Sequence, residues 1–210
     1  MSDQIQRVHF NSPRAKRGLE HIWRIITRPM RLFRLLDWLQ HLAVSRWNCL
    51  RLKAAGARVG PGLVLDGSIL VGGGDIVIGS NVHLGEGVYI GTDIRGGRLV
   101  IGDNTYIGGR SIIVAYQSVT IGADCLLAPH SYITDVNHGF AKDELIRLQK
   151  YDPKPIVISD DVWFGSGVRV MPGVTIGHGA VIGAGAVVTH DIEPNAVAVG
   201  VPAKVIKYRT

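Results

Sequence analysis

The chain has 210 residues, of which 46% are hydrophobic, and a formal net charge of +6; this is enough apolar material for one domain with a sizeable core plus an appendage. Two cysteines, Cys49 and Cys125, lie in different regions without CxxC spacing, so neither a disulfide framework nor a thiolate metal site is suggested and a reducing cytoplasm is the simpler reading. Neither a secretory signal nor a transmembrane helix is expected. The first 20 residues lack an apolar core, and the longest uncharged run of the N-terminal region, Trp38 to Ser45, falls far short of about 18 residues.

Residues 1–57 read as a basic amphipathic helical segment. Between Arg14 and Lys53 stand ten Lys or Arg against Glu20 and Asp37, so the rest of the chain carries about −2. Ile22, Trp23, Ile25, Ile26, Met30, Phe33, Leu36, Leu39 and Leu42 recur at near-helical spacing, Arg24, Arg28, Arg31 and Arg34 lie between them, and Pro29 marks a break or restart. Two roles compete. The helices can cap the open end of the following domain, or residues 14–53 can attach to an anionic membrane surface through Arg, with Trp and Leu beneath. Nucleic-acid binding is not expected, because the basic residues interleave with core-type apolar ones and no recognised module is present.

From residue 58 to 192 the chain keeps a six-residue beat. Ile158, Phe164, Val170, Ile176, Ile182 and Val188 stand six apart, with Val162, Val168, Val174, Ala180, Ala186 and Ile192 midway. The same beat runs upstream through Val59, Leu65, Val71, then Ile78, Leu84, Ile90, then Ile101, Ile107, Ile113, then Ile121, Leu127, Ile133. Neither a helix nor an amphipathic strand sustains a period of six, whereas stacked short strands do. Gly commonly follows the aliphatic residue, as at Gly79, Gly102, Gly122, Gly165 and Gly177, and is expected to supply corner conformations that other residues resist. Three hexads make one triangular coil, so an all-β solenoid of roughly six or seven coils at about 4.8 Å spacing is predicted.

The beat breaks four times: seven residues from Val71 to Ile78, eleven from Ile90 to Ile101, eight from Ile113 to Ile121 and twenty-five from Ile133 to Ile158. The first three are absorbed as bulged corners. The last ejects a loop at about 134–157, and long loops in compact domains are commonly functional. It carries Asp135, Asn137, His138, Asp143, Glu144, Arg147, Lys150 and Tyr151. His138, at the loop root, can accept a proton from a hydroxyl at neutral pH, with Asp135 and Asn137 as candidate supporting residues. Residues 193–210 read as a C-terminal tail.

The stretch from Leu127-Ala128-Pro129 to His138, the excursion after it, and Ile158-Ser159-Asp160-Asp161-Val162-Trp163-Phe164-Gly165-Ser166 resemble the hexapeptide-repeat acetyltransferases. The resemblance is strongest to the galactoside, maltose and nodulation-factor O-acetyltransferases and to surface-polysaccharide enzymes of colanic-acid type. Val199-Gly200-Val201-Pro202-Ala203-Lys204-Val205-Ile206 is similar to the family's C-terminal signature. The resemblance covers about residues 58–208; residues before it are similar to segments of capsule and exopolysaccharide enzymes.

This resemblance implies a left-handed parallel β-helix, a homotrimer, and direct transfer of an acetyl group from acetyl-CoA to an acceptor hydroxyl, with His138 as general base and no metal. It also implies a cofactor groove along a coil edge between subunits. Ser166, Ala184 and Thr189 match family contacts to the pantetheine arm, Lys204 and Lys207 match basic positions near the cofactor phosphates, and Trp163 either walls the thioester end or covers a neighbouring coil or subunit. The family's acceptor-holding Asn, about 30 residues before the base, has no match, since Gly108 stands there. Arg110, Ser111 and His130 are the nearby candidates for acceptor binding. The expected acceptor is a small-molecule or lipid-linked sugar of surface-polysaccharide or glycolipid synthesis, reached from the cytoplasmic side of the inner membrane. Transfer to an amine of an aminosugar or antibiotic is the alternative, followed by a non-catalytic assembly module. A γ-class carbonic anhydrase needs two His five apart, whereas His130 and His138 are eight apart.

Overall fold

The computed structural model describes residues 43–93 and 95–210 together with Phe33, Leu36 and Leu39. It forms two units, Met1–Ala43 and Val44–Thr210. In the first, Phe33, Leu36 and Leu39 are helical and exposed; the remaining apolar positions proposed between Ile22 and Leu42 lie outside the described residues.

The second unit is a solenoid of parallel strands stacked into three faces. The first face holds Arg58–Val59, Asp75–Ile78, Arg98–Ile101, Ser118–Ile121, Ile156–Ile158 and Thr175–Ile176. The second runs from Val64–Leu65 to Ala196–Val199, and the third from Leu70–Val71 to Val187–Val188. Six coils are complete and a seventh begins where Ile192 bridges Ile176. Register follows the beat, because each hexad residue sits over its counterpart one coil away: Ile78 on Ile101, Ile101 on Ile121, Ile121 on Ile158 and Ile158 on Ile176. From Ile78 onward these aliphatic residues and their midway partners are buried in one continuous core. A two-residue strand buries too little by itself; its stability comes from neighbours above and below.

The glycine after each aliphatic residue has a different cause from the one expected. Gly79, Gly102, Gly122, Gly165 and Gly177 do not adopt positive φ. They are needed for space: a Cβ on Gly165 would lie 2.5 Å from the Ala184 nitrogen, and one on Gly102 2.5 Å from the Ala123 nitrogen. After Gly165 and Gly177 the left-handed conformation falls two residues later on Gly167 and Gly179; in the other turns between the first and second faces it falls on Asn81, Asn104, Asp124, Asp161 and Asn195, residue types that tolerate it.

Those residues mark the first of three vertical edges, the asparagine edge, between the first and second faces. Between the second and third faces runs a smooth edge in which every turn has the same length. The third edge, between the third and first faces, gathers every irregularity, and the four breaks in the beat all fall on it. The excursion there is a hairpin and not the expected open loop: Val136–His138 pairs antiparallel with Tyr151–Pro153, and Ile146–Leu148 makes a 3₁₀ turn near the tip.

Both ends of the solenoid are covered. Residues 43–54 are helical, Leu52 is fully buried with Ala57, Leu65 and Ile69, and the buried Asn48 donates its Nδ2 to the Gly67 carbonyl at 2.8 Å. The helix therefore stays with the solenoid, and the boundary expected near residue 57 lies at 43/44. The C-terminal residues are likewise no free tail. Lys204–Tyr208 runs antiparallel along Ala196–Val199 as the last strand of the second face. Arg209 pins it by donating to Asp161 Oδ2 at 2.9 Å and the Gly179 carbonyl at 2.8 Å, while the Tyr208 hydroxyl donates to Glu193.

Candidate active site

The hairpin edge is built by three successive turns. In the lowest, Asp93 accepts from the Arg95 backbone N–H at 2.7 Å, from Nε at 3.2 Å and from Nη2 at 3.1 Å. Its carboxyl is held below the usual carboxylate range chiefly by the Arg95 side chain and then by the Arg95 backbone N–H, and the Arg95 pKa is raised in return. The middle turn carries Tyr116, whose phenol is pushed up mainly by burial. Above it, Asp135 is fully buried and accepts from the backbone N–H groups of Tyr116 at 2.7 Å, Gln117 at 2.7 Å and Ser118 at 2.6 Å. A carboxylate satisfied by three N–H donors is strongly fixed. Its own backbone carbonyl accepts from the Lys154 N–H at 2.7 Å, so one residue ties the turn below to both roots of the hairpin.

His138 stands exposed at the end of the first hairpin strand, opposite Tyr151 in register. Its ring meets Tyr151 edge-on at 4.8 Å, and Tyr151 meets Tyr116 edge-on at 5.2 Å. This aromatic chain holds the imidazole from behind and leaves it open to solvent. Tyr151 in turn lines a cleft of about 490 Å³ with Asp93, Arg95, Tyr116, Gln149 and Lys150 among others; His138 adjoins it through Tyr151 and is not part of its lining. Gln149 closes the hairpin tip: Oε1 accepts from the Ala141 N–H at 2.6 Å, and Nε2 donates to the carbonyls of Ala141 at 2.9 Å and Glu144 at 2.7 Å. Asn137 is exposed and pairs with Asp152 across the hairpin.

The smooth edge collects another set. Arg110, His130, Ser166 and Ala184 occupy successive turns, joined by the Arg110 N–H to Glu86, His130 to Gly109, Gly167 to Pro129 and Gly185 to Ser166 carbonyls at 2.8, 3.1, 3.0 and 2.8 Å. Ser166 Oγ donates to the Pro129 carbonyl at 2.9 Å. Ser111 belongs to the same ladder but is buried, with Oγ donating to the Gly108 carbonyl at 2.7 Å and accepting from the Ser131 N–H at 3.2 Å; its hydroxyl does not reach the surface. A Cβ on Gly185 would meet nothing within 4 Å. The upper part of this edge is therefore an open backbone surface against which a thin extended chain can lie.

The remaining candidates are dispersed. Trp163 is exposed on the second face in a cleft of about 350 Å³ that opens toward the asparagine edge, with Leu126, Asp161 and Arg209. Lys204 and Lys207 are exposed on the closing strand of that face. Thr189 lies on the hairpin edge two coils above the hairpin, with Oγ1 2.9 Å from His190 Nδ1. One chain thus groups His138, Asp135 and Asn137 on one edge and Arg110, His130, Ser166 and Ala184 on another. His130 does not approach His138, and no group of three His, Cys, Asp or Glu side chains among the described residues is placed to hold a metal ion. Asp93, Arg95, Tyr116 and Gln149 were not singled out by their sequence context; only the eleven-residue and eight-residue breaks pointed toward the first three.

The hexad solenoid, with an exposed imidazole on its ejected hairpin, was compared with known proteins. The model of the bacterial transferase hexapeptide (six repeats) matches residues 155–190, and that of the hexapeptide repeat of succinyl-transferase matches residues 98–134. A putative lipopolysaccharide biosynthesis O-acetyl transferase of Escherichia coli K12, WbbJ, is 39% identical over 103 residues, 45% of this chain and 53% of that protein. The alignable stretch thus spans about half the length of that relative. Among solved structures, a maltose O-acetyltransferase of Clostridium difficile 630 is 33% identical over 71% of this chain and 70% of its own, with a TM-score of 0.51. The polySia-specific acetyltransferase NeuO is 28% identical over 73% of this chain and 84% of its own, with a TM-score of 0.55. The chain belongs to the hexapeptide-repeat acetyltransferase family. Its solenoid matches the left-handed β-helix of that family.

Proposed function

We propose that the protein is an acetyl-CoA-dependent O-acetyltransferase acting on a sugar hydroxyl, with His138 as the general base. The observation that carries this reading is the presentation of His138: an exposed imidazole on a paired strand, backed at 4.8 Å by Tyr151, which itself lines a cleft on the same edge. His138 removes the acceptor hydroxyl proton as the oxygen attacks the thioester carbonyl. The C–O bond forms, the C–S bond breaks, and the imidazolium returns its proton to the departing thiolate. A thioester is already activated, so the residues mainly supply orientation and a base.

The acetyl donor lies along the smooth edge at Ser166 and Ala184, where the backbone is open and small side chains leave room. That edge and His138 are on different edges of one prism. The reading therefore calls for a homotrimer in which His138 of one copy faces the groove of the next. Lys204 and Lys207 meet the cofactor phosphates.

The pathway reading is surface-polysaccharide or glycolipid synthesis at the cytoplasmic side of a membrane. On the described helix at 43–54, Trp47 and Leu50 are exposed and flanked by exposed Arg46, Arg51 and Lys53, a pattern suited to an anionic lipid surface. The test is thiol release from acetyl-CoA with a panel of sugars and glycolipids, using wild type and His138→Ala, with trimer mass checked by sedimentation. Loss of transfer in an intact trimer is expected. Full activity in that variant removes the mechanism.

A further inference from the structure

We infer that the cleft beside His138 selects an acceptor sugar bearing an anionic group, a carboxylate or a phosphate. The inference rests on the proposed transfer reaction for its location and on the cleft's own chemistry for its substrate class.

The cleft combines a platform with uncompensated positive charge. Tyr151 is exposed, and its ring is braced by edge contacts with both His138 and Tyr116. A braced aromatic face of this kind accepts the apolar side of a sugar ring. The one carboxylate lining the cleft, Asp93, is only 12% exposed and already accepts from Arg95 through the backbone N–H, Nε and Nη2. Three of its roughly four acceptor sites are thereby taken, which leaves little for a neutral sugar. Arg95 is 73% exposed, and a guanidinium has five N–H donors, so three remain after Asp93 takes two. Asp93 holds Arg95 in one orientation, and preorganised guanidinium suits carboxylate and phosphate oxygens.

Lys150 lines the same cleft, is exposed, and has no ion-pair partner among the described residues. The nearby Asp152 is already 3.4 Å from Lys154, and Asp143 and Glu144 lie on the hairpin tip outside the lining. Two cations with spare donors therefore share the cleft with the Tyr151 ring, and Asp93, the one carboxylate in its lining, is paired within its own turn. The charged side chains of the lining are Arg95 and Lys150 against Asp93 alone, a balance of +1 that favours an anionic group over a neutral hydroxyl. NeuO, similar in structure to this chain, is specific for polySia.

The experiment compares a methyl uronide, a hexose phosphate and the matching neutral methyl hexoside, with wild type and Lys150→Gln. Lys150 makes no side-chain hydrogen bond among the described residues, so its replacement leaves the hairpin closed by Gln149. Binding is read without acetyl-CoA by saturation-transfer NMR, and transfer by thiol release. Wild type should favour one of the anionic sugars over the neutral one, and the anionic-to-neutral ratio should fall about tenfold in Lys150→Gln, the size of one charge-assisted contact. The preference should also weaken as salt is raised. Which anionic sugar is preferred tells carboxylate from phosphate. Equal binding of neutral and anionic sugars, or an unchanged ratio in Lys150→Gln, overturns the inference. Anionic preference in binding without any thiol release would leave it standing and remove the transferase reading instead.

Discussion

Replacing Asp135 with Ala should damage the protein more than any other single change on the hairpin edge. The carboxylate is fully buried and is the acceptor for three backbone N–H groups, at 2.7, 2.7 and 2.6 Å. Each buried donor left without a partner costs about 1–3 kcal/mol. Three donors set an upper range near 9 kcal/mol, but Tyr116 and Gln117 lie near the surface, where water can replace part of the loss. A net destabilisation of about 3–5 kcal/mol is therefore expected. Asp135→Asn keeps an acceptor oxygen but loses the charge and points an amide N–H₂ at a donor, so about half that loss is expected. The measurement is the urea midpoint at fixed protein concentration, since assembly would make the midpoint concentration-dependent. Because the same turn carries Tyr116, and Tyr116 braces Tyr151 at 5.2 Å, kcat/KM should fall along with stability. A midpoint for Asp135→Ala equivalent to less than about 0.5 kcal/mol from wild type would refute this account, because that is the scatter of an ordinary surface substitution.

Three further outcomes follow from local geometry. Asp93 has a folded pKa below its ordinary 3.8 because of Arg95; its contribution is therefore present above that value and lost as pH falls through the folded pKa, so Arg95→Met should remove part of the acid-side decline in Tm below about pH 4. Gly165→Ala forces a Cβ to within 2.5 Å of the Ala184 backbone, whereas Gly185→Ala meets open space at φ +70. The first should cost well over 2 kcal/mol by coil displacement and the second only about 1 kcal/mol of backbone strain, as read from denaturant midpoints. Gln149→Ala removes the side-chain bonds that close the tip. Hydrogen exchange at residues 141–149 should accelerate while Tm stays nearly unchanged, because no residue of the 3₁₀ turn there is buried.

The equal length of the turns on the asparagine and smooth edges explains why so much of the fold was legible. Each hexad contributes one core aliphatic residue, one midway residue and one corner. A core of Ile78, Leu84 and Ile90, repeated upward, needs no long-range information to be recognised. The role of glycine was misread because space and conformation leave the same sequence signature. Gly165 is required by the approach of Ala184 from the next coil, and that neighbour is 19 residues away. His138 was legible because it follows the largest break. Arg95 was not, since nothing near it in sequence suggests a site until the next turns are stacked over it.

The beat by itself determined the solenoid, its core and the number of coils, because period-six burial has few other physical solutions. It also showed where regularity fails. Only the tertiary structure decided that all four failures share one edge, because the face reached by each strand depends on how every earlier break is absorbed. Stacking at strand spacing then brings Asp93, Tyr116, Asp135 and Tyr151 together across 58 residues of sequence. The same stacking sets Ser166 and Ala184 on a different edge from His138, so the proposed base and donor groove lie apart within one copy.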